Sequence, residues 1–260
     1  MKSTLMMVAL AGAMTVPAAA SAQTVVALMD GNRIAVVDAK ALKAATPLKV
    51  SGVSGKLLGI DVRPADGKLY GLFEDGTVAT IDPVSGTATV KAKLEATLPA
   101  GTAATVDFNP VPDRLRVIGA DGTNLRANVD DGKVVRDGML KFADADQHMG
   151  KPAVIVAGAY TNSMKGAKET ALYDIDGKLG LLVKQAPPND GILNTVGTIG
   201  VEGKGYAFDI VAADAGANEG WLMAGTMLYR VDLATGKASS AGKVAGLDGT
   251  VTDIAIIPAM

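Results

Sequence analysis

YAFDIV, residues 206–211, is a short apolar run with one aspartate in its middle. The same phrase returns as LLGIDV (57–62), ATVDFN (104–109) and VTDIAII (251–257). A carboxylate in a run that otherwise reads as a buried strand is unfavourable unless it is paired or hydrogen-bonded. Four such runs in one chain therefore point to a repeated unit. A second phrase gives the period: RIAVVD (33–38), TVATID (77–82), LRANVD (125–130), ALYDID (171–176) and LYRVDL (228–233). Its aspartates, Asp38, Asp82, Asp130, Asp176 and Asp232, recur every 44 to 56 residues.

Around these phrases the chain is a succession of short strand-like runs broken by Gly, Asp and Asn, and its 31 Gly and 11 Pro suit many tight turns. Five units of about four short strands each predict an all-β fold, a five-bladed β-propeller with antiparallel blades. LLGIDV, ATVDFN, VIVAGAYTN (154–162), GYAFDIV and VTDIAII take the place of the inner strands. The unit containing RIAVVD has TVVALM (24–29) before it but no inner strand of its own, while VTDIAII is left over at the end of the chain. The C-terminal strand is therefore expected to close the N-terminal blade, which leaves only short, protected sheet edges. A β-sandwich is the alternative, but it does not require one phrase to recur in one order.

The first 22 residues stand apart. They carry Lys2, an apolar stretch from Leu5 to Val16 and the small-residue end Ala20-Ser21-Ala22, the pattern of a cleaved secretory signal. The apolar part is shorter than the roughly 20 residues needed to span a bilayer. The expected organisation is a signal peptide over 1–22 and one propeller domain over 23–260, exported to the periplasm or beyond, with no membrane insertion after cleavage. The chain has no cysteine, so disulfides and thiol chemistry are excluded. A net charge of −2 with scattered basic residues argues against nucleic acid as a partner. His148 is the one histidine, which excludes metal sites built on several His ligands within the chain.

Asp at the end of the third strand opens a turn well, because its carboxylate accepts a backbone N–H two residues on. The inner-strand set, Asp61, Asp107, Asp209 and Asp253, is different: strands running one way round a common axis bring the four carboxylates together beside the channel. They then cap N–H groups of the neighbouring blade, pair with Arg63, Arg114 or Arg116, or line an oxygen-rich site for a cation such as Ca²⁺ or for a small polar ligand. No cofactor is required by any motif present. The fourth unit has Ala159-Tyr160 where the others have Asp, and Tyr160 and Asn162 there are candidates to hold a ligand. QAPPNDGILNTVG (185–197) is irregular for a hairpin, and Asn189, Asp190 and Asn194 are its candidate ligand-binding residues.

DFNPVPDRLRVIGADGTNLRANVDDG (107–132), AYTNS (159–163), PPNDGILNTVG (187–197) and FDI (208–210) together resemble a family of exported bacterial proteins called domain of unknown function 4394. The resemblance runs from about Thr24 to Pro258 and implies a β-propeller. It implies no activity, substrate or catalytic residue.

The chain shows no G-x-S-x-G elbow, no P-loop and no dinucleotide fingerprint. The expected role is therefore a non-enzymatic propeller of the cell envelope that binds a small polar ligand or an envelope protein, or serves as a scaffold. The enzymatic alternative is a glycoside hydrolase-like protein drawing an acid and a base from the inner-strand aspartates. One Trp and 4% aromatic residues are poor provision for stacking sugars.

Overall fold

LLGIDV, ATVDFN and YAFDIV are each followed within a few residues by a second apolar run, and the two fold back as an antiparallel hairpin. The computed structural model describes residues 24–258 except Lys204 and residues 214–216, so the expected signal segment lies outside the described residues. The first blade opens with β1 (Thr24–Met29), β2 (Arg33–Asp38) and the short β3 (Lys43–Ala44) and β4 (Leu48–Lys49). The second is β5 (Leu57–Val62), β6 (Leu69–Phe73), β7 (Thr77–Ile81) and β8 (Ala88–Lys93). The third is β9 (Ala104–Asn109), β10 (Arg114–Gly119), β11 (Asn124–Ala127) and β12 (Val134–Arg136). The fourth holds β13 (Lys141–Phe142), β14 (Ile155–Tyr160), β15 (Leu172–Asp176), β16 (Leu181–Gln185) and β17 (Ile192–Thr198). The fifth is β18 (Tyr206–Ala212), β19 (Asn218–Ala224), β20 (Met227–Val231) and β21 (Ala238–Lys243).

The last strand, β22 (Val251–Ile257), pairs antiparallel with β1 and becomes the inner strand of the first blade. Within the five sheets the pairing is antiparallel, inner strand to outer, with one exception. In the fourth blade β13 adds a parallel outermost strand beside β17, with Lys141 opposite Ile192, so that blade has five strands. The inner strands neighbour one another round the ring in the order β5, β9, β14, β18, β22.

The core lies between blades rather than within one. Leu28, Ile60 and Phe73 pack between the first and second blades, and Tyr70, Phe108 and Leu125 between the second and third. Ile118, Tyr160 and Leu172 fill the next seam, and Ile175, Phe208 and Leu222 the one after. Val37, Trp221 and Ile254 close the ring. Polar outer strands such as β8, whose residues are exposed after Ala88 apart from half-buried Ala92, face solvent. No helix among the described residues is long and apolar enough to cross a membrane.

The turns explain the second phrase. Asp38 accepts N–H groups of Lys40 and Ala41, Asp82 that of Val84, Asp176 those of Lys178 and Leu179, and Asp232 that of Ala234. The third unit is offset from its expected position. There the turn-opening residue is Asn128: its N–H reaches Lys133 O and its carbonyl accepts Gly132 N–H, the bonds Asp82 makes to Thr87 and Gly86. Asp130, two residues later, is free to pair with Arg63 of the second blade at 2.7 Å.

Candidate functional site

A strand that carries an Asp beside a channel can turn its carboxylate sideways onto the next blade, and the four inner-strand aspartates do this. Ile60 N–H donates to Asp253 Oδ2 at 2.9 Å, and Phe108 N–H to Asp61 Oδ2 at 2.7 Å. Tyr160 N–H donates to Asp107 Oδ1 at 2.9 Å, and Ile256 N–H to Asp209 Oδ2 at 2.6 Å. In each case the carboxylate belongs to one blade and the amide to the inner strand of the next. Asp61, Asp209 and Asp253 also accept, on their other oxygen, the N–H of the following residue in their own strand. Neither Arg63 nor Arg116 pairs with them: Arg63 holds Asp113 and Asp130, and Arg116 holds Asp137.

The four side chains are almost equally buried, 3 to 7% exposed. Oxygens of Asp61, Asp107 and Asp209 lie within 4.8 Å of one another, whereas Asp253 stands apart from that trio, its Oδ2 lying against Gly59. Burial pushes all four acids up. Neighbouring carboxylates add to the rise at Asp61, Asp107 and Asp253, while the N–H groups oppose it and leave Asp209 at about 6. The trio offers a compact set of oxygens to a cation.

The fourth blade lacks the aspartate, and AYTNS replaces its function by other bonds. Asn162 N–H donates to Asn218 Oδ1 at 2.6 Å, Asn218 Nδ2 returns a bond to Asn162 Oδ1 at 2.9 Å, and Ser163 Oγ donates to Ile210 O at 2.8 Å. All three bonds reach the fifth blade, so the seam without a carboxylate is fastened by an amide pair and a hydroxyl. Asn162 sits at φ 55°, a left-handed conformation that Asn tolerates.

The other candidates separate. Tyr160 is 1% exposed, and its hydroxyl accepts from Arg116 Nε at 3.1 Å. Asn189, in the short 3-10 turn Pro188–Asp190, accepts from Arg116 Nη2 at 2.9 Å, so these two meet on one guanidinium in the seam between third and fourth blades. Asp190 is exposed in the same turn, while Asn194 Nδ2 bonds Lys184 O and Ala186 O within the outer hairpin. His148 packs at that outer edge, 3.0 Å from Thr195 Oγ1.

The two ends of the channel differ. Where the inner strands end, a cavity of about 240 Å³ is lined by Asp61, Asp209, Ser163 and Lys165. Where they begin, a funnel of about 450 Å³ is lined by the starts of all five: Leu57 and Leu58, Ala104, Val156, Tyr206, and Val251 with Thr252. Residues 98–103, from the connection between β8 and β9, form one further wall. Sequence reasoning missed this funnel. Its only trace is that the connection, 94–103, is long and rich in small apolar residues.

A family described as a domain of unknown function, DUF4394, matches residues 33–255. A search of curated proteins finds no match. Among solved structures, a protein of unknown function from Bacteroides thetaiotaomicron is 15% identical, with a TM-score of 0.51, 92% of this chain and 65% of that one being covered. Another, from Bacteroides caccae, is 13% identical with a TM-score of 0.47, covering 92% and 100%. A luciferin-regenerating enzyme is 15% identical with a TM-score of 0.47, covering 90% and 80%. At 15% identity the likeness to the Bacteroides thetaiotaomicron structure is one of fold.

Proposed function

Since the chain belongs to the DUF4394 family, which brings no activity with it, we propose from its own geometry that it is an exported, non-enzymatic propeller that binds a small molecule at the wide end of its channel. The observation that carries this reading is how the inner-strand carboxylates are used. A general acid and base must reach a substrate; here each carboxylate is at least nine-tenths buried and turned onto an amide of the next blade. The larger opening of the channel is the funnel, within the ~300–1,000 Å³ range of small-molecule sites, whereas the cavity at the other end, lined by Asp61 and Asp209, is smaller at about 240 Å³.

The test is a thermal-unfolding screen of residues 23–260 against sugars, amino acids and apolar compounds. A compound at about 100 times its dissociation constant adds roughly 2.7 kcal/mol. A rise in midpoint that Ala103→Trp removes supports the reading, because Ala103 is exposed and lines the funnel. Turnover of aryl glycosides that Asp107→Asn abolishes would contradict it.

A second reading, Ca²⁺ on Asp61, Asp107 and Asp209, is favoured by the convergence of their oxygens. Asp107→Asn removes a charge there while keeping an acceptor for Tyr160 N–H. Ca²⁺ after EDTA should raise the midpoint of the parent and not of this variant; an equal response in both overturns it.

A further inference from the structure

The funnel also specifies the chemistry of what fills it, an inference that rests on the binding role above. Among the described residues its apolar walls are Leu57, Leu58, Leu98, Ala104, Val156 and Val251, and its ionisable side chains are Lys56, Glu74 and Tyr206. The polar groups it offers are the hydroxyls of Thr102 and Thr250 and that of Thr252, which also donates to Leu28 O at 3.4 Å and is left as an acceptor. Tyr206 also lines it, but its hydroxyl donates to Val201 O at 2.7 Å and is therefore occupied. Lys56 and Glu74 carry opposite charges on one side and are both exposed, with Lys56 N–H donating to Glu74 Oε1 at 3.3 Å.

The floor is narrowed on one side. One residue beyond Leu58, a Cβ built on Gly59 would stand 2.7 Å from both Asp253 Oδ2 and Val106 Cγ2, so β5, β9 and β22 press together there. A sugar would place most of its hydroxyls against Leu, Ala and Val side chains that cannot hydrogen-bond to them, and a charged ligand seated against those walls would lose its hydration while Lys56 and Glu74 stand together, exposed, on one side. An apolar surface loses no hydrogen bond on entry and gains roughly 25 cal/mol for each Å² removed from water.

We infer that the funnel holds a compact, uncharged, largely apolar molecule, its body against Leu58, Ala104, Val156 and Val251 and any hydroxyl or carbonyl directed to the threonines of the rim.

The experiment is a fluorescence titration of residues 23–260 with N-phenyl-1-naphthylamine, an uncharged apolar probe, repeated with Ala103→Trp and Thr252→Trp. Both positions are exposed and line the funnel, so a Trp there obstructs it without entering the core; unchanged thermal midpoints check this. Glucose and naphthalene-1-sulfonate serve as polar and anionic competitors. The expected result is saturation at one site, at least about tenfold weaker in each variant, as loss of one buried apolar contact implies, and no displacement by either competitor. If glucose or naphthalene-1-sulfonate binds in a manner that the variants abolish while the neutral probe does not bind, the ligand class is overturned and funnel binding stands. If nothing binds, or if both variants bind as the parent does, both the inference and the binding role are overturned.

Discussion

Asp61 and Asp107 stand on neighbouring inner strands, yet their oxygens are used differently. Asp61 accepts an N–H on each oxygen, from Val62 and Phe108. Asp107 accepts Tyr160 N–H on Oδ1, and among the described residues nothing donates to Oδ2. Asparagine has one acceptor oxygen, so Asp61→Asn must set an amide N–H₂ against a backbone N–H, whereas Asp107→Asn can point its N–H₂ to the unused side. An unsatisfied buried donor costs about 1–3 kcal/mol, or roughly 2–12 °C in a domain of this size. Removing a like charge favours both variants, so the difference between them isolates the hydrogen bond. In EDTA, thermal unfolding should place Asp61→Asn below the parent and Asp107→Asn at or above it. Equal midpoints for the two variants would mean that the second N–H accepted by Asp61 contributes nothing.

Within the fourth blade, β15 carries two fully buried aspartates on one face, and they meet different fates. Asp176 opens a turn and accepts three N–H groups, from Val154, Lys178 and Leu179. Among the described residues Asp174 has no donor on either oxygen, and Gln185 Oε1, diagonally across on β16, has none either. Arg116 across the seam is engaged by Tyr160, Asn124, Asp137 and Asn189. Gly158 opposite leaves the space: a Cβ there would stand against Asp174 Oδ1. Burial pushes Asp174 up to about 8, so it is protonated in the fold at pH values where the unfolded chain is ionised. Its contribution to stability is complete below pH 4 and is lost as pH rises to 8, with a slope set by about one proton. Asp174→Asn, which keeps the neutral shape, should abolish that slope and be the more stable protein at pH 9; urea unfolding from pH 4 to 9 checks this, and parallel profiles would contradict it. The sequence announced ALYDID as a strand ending in a turn, but it could not tell the two aspartates apart, because partners across a blade seam leave no local pattern. The same limit applies to LRANVD, where Asn128 and Asp130 could each open the turn and only the backbone bonds decide for Asn128.

At the scale of the ring, the blade count, the inner strands and the closure by β22 were legible because each blade repeats its phrases in one order. The funnel was not, since it is assembled from strand starts some fifty residues apart whose small apolar side chains carry no motif. AYTNS was visible as a departure, but that it fastens the fourth blade to the fifth follows only from Asn218, 56 residues on. The ring thus has five seams, four closed by a carboxylate and one by the Asn162–Asn218 pair, and a rigid ring is what allows five strand starts to shape one funnel. The claim beneath all of this is that the inner-strand aspartates are fasteners between blades. Amide hydrogen exchange at Ile60, Phe108, Tyr160 and Ile256 tests it most directly, in the parent and in Asp209→Ala. These four amides should exchange in the parent only through global unfolding, and Asp209→Ala should release Ile256 while Phe108 and Tyr160 stay protected relative to it. Fast exchange at all four in the parent, beside protected neighbours in the same strands, would contradict it.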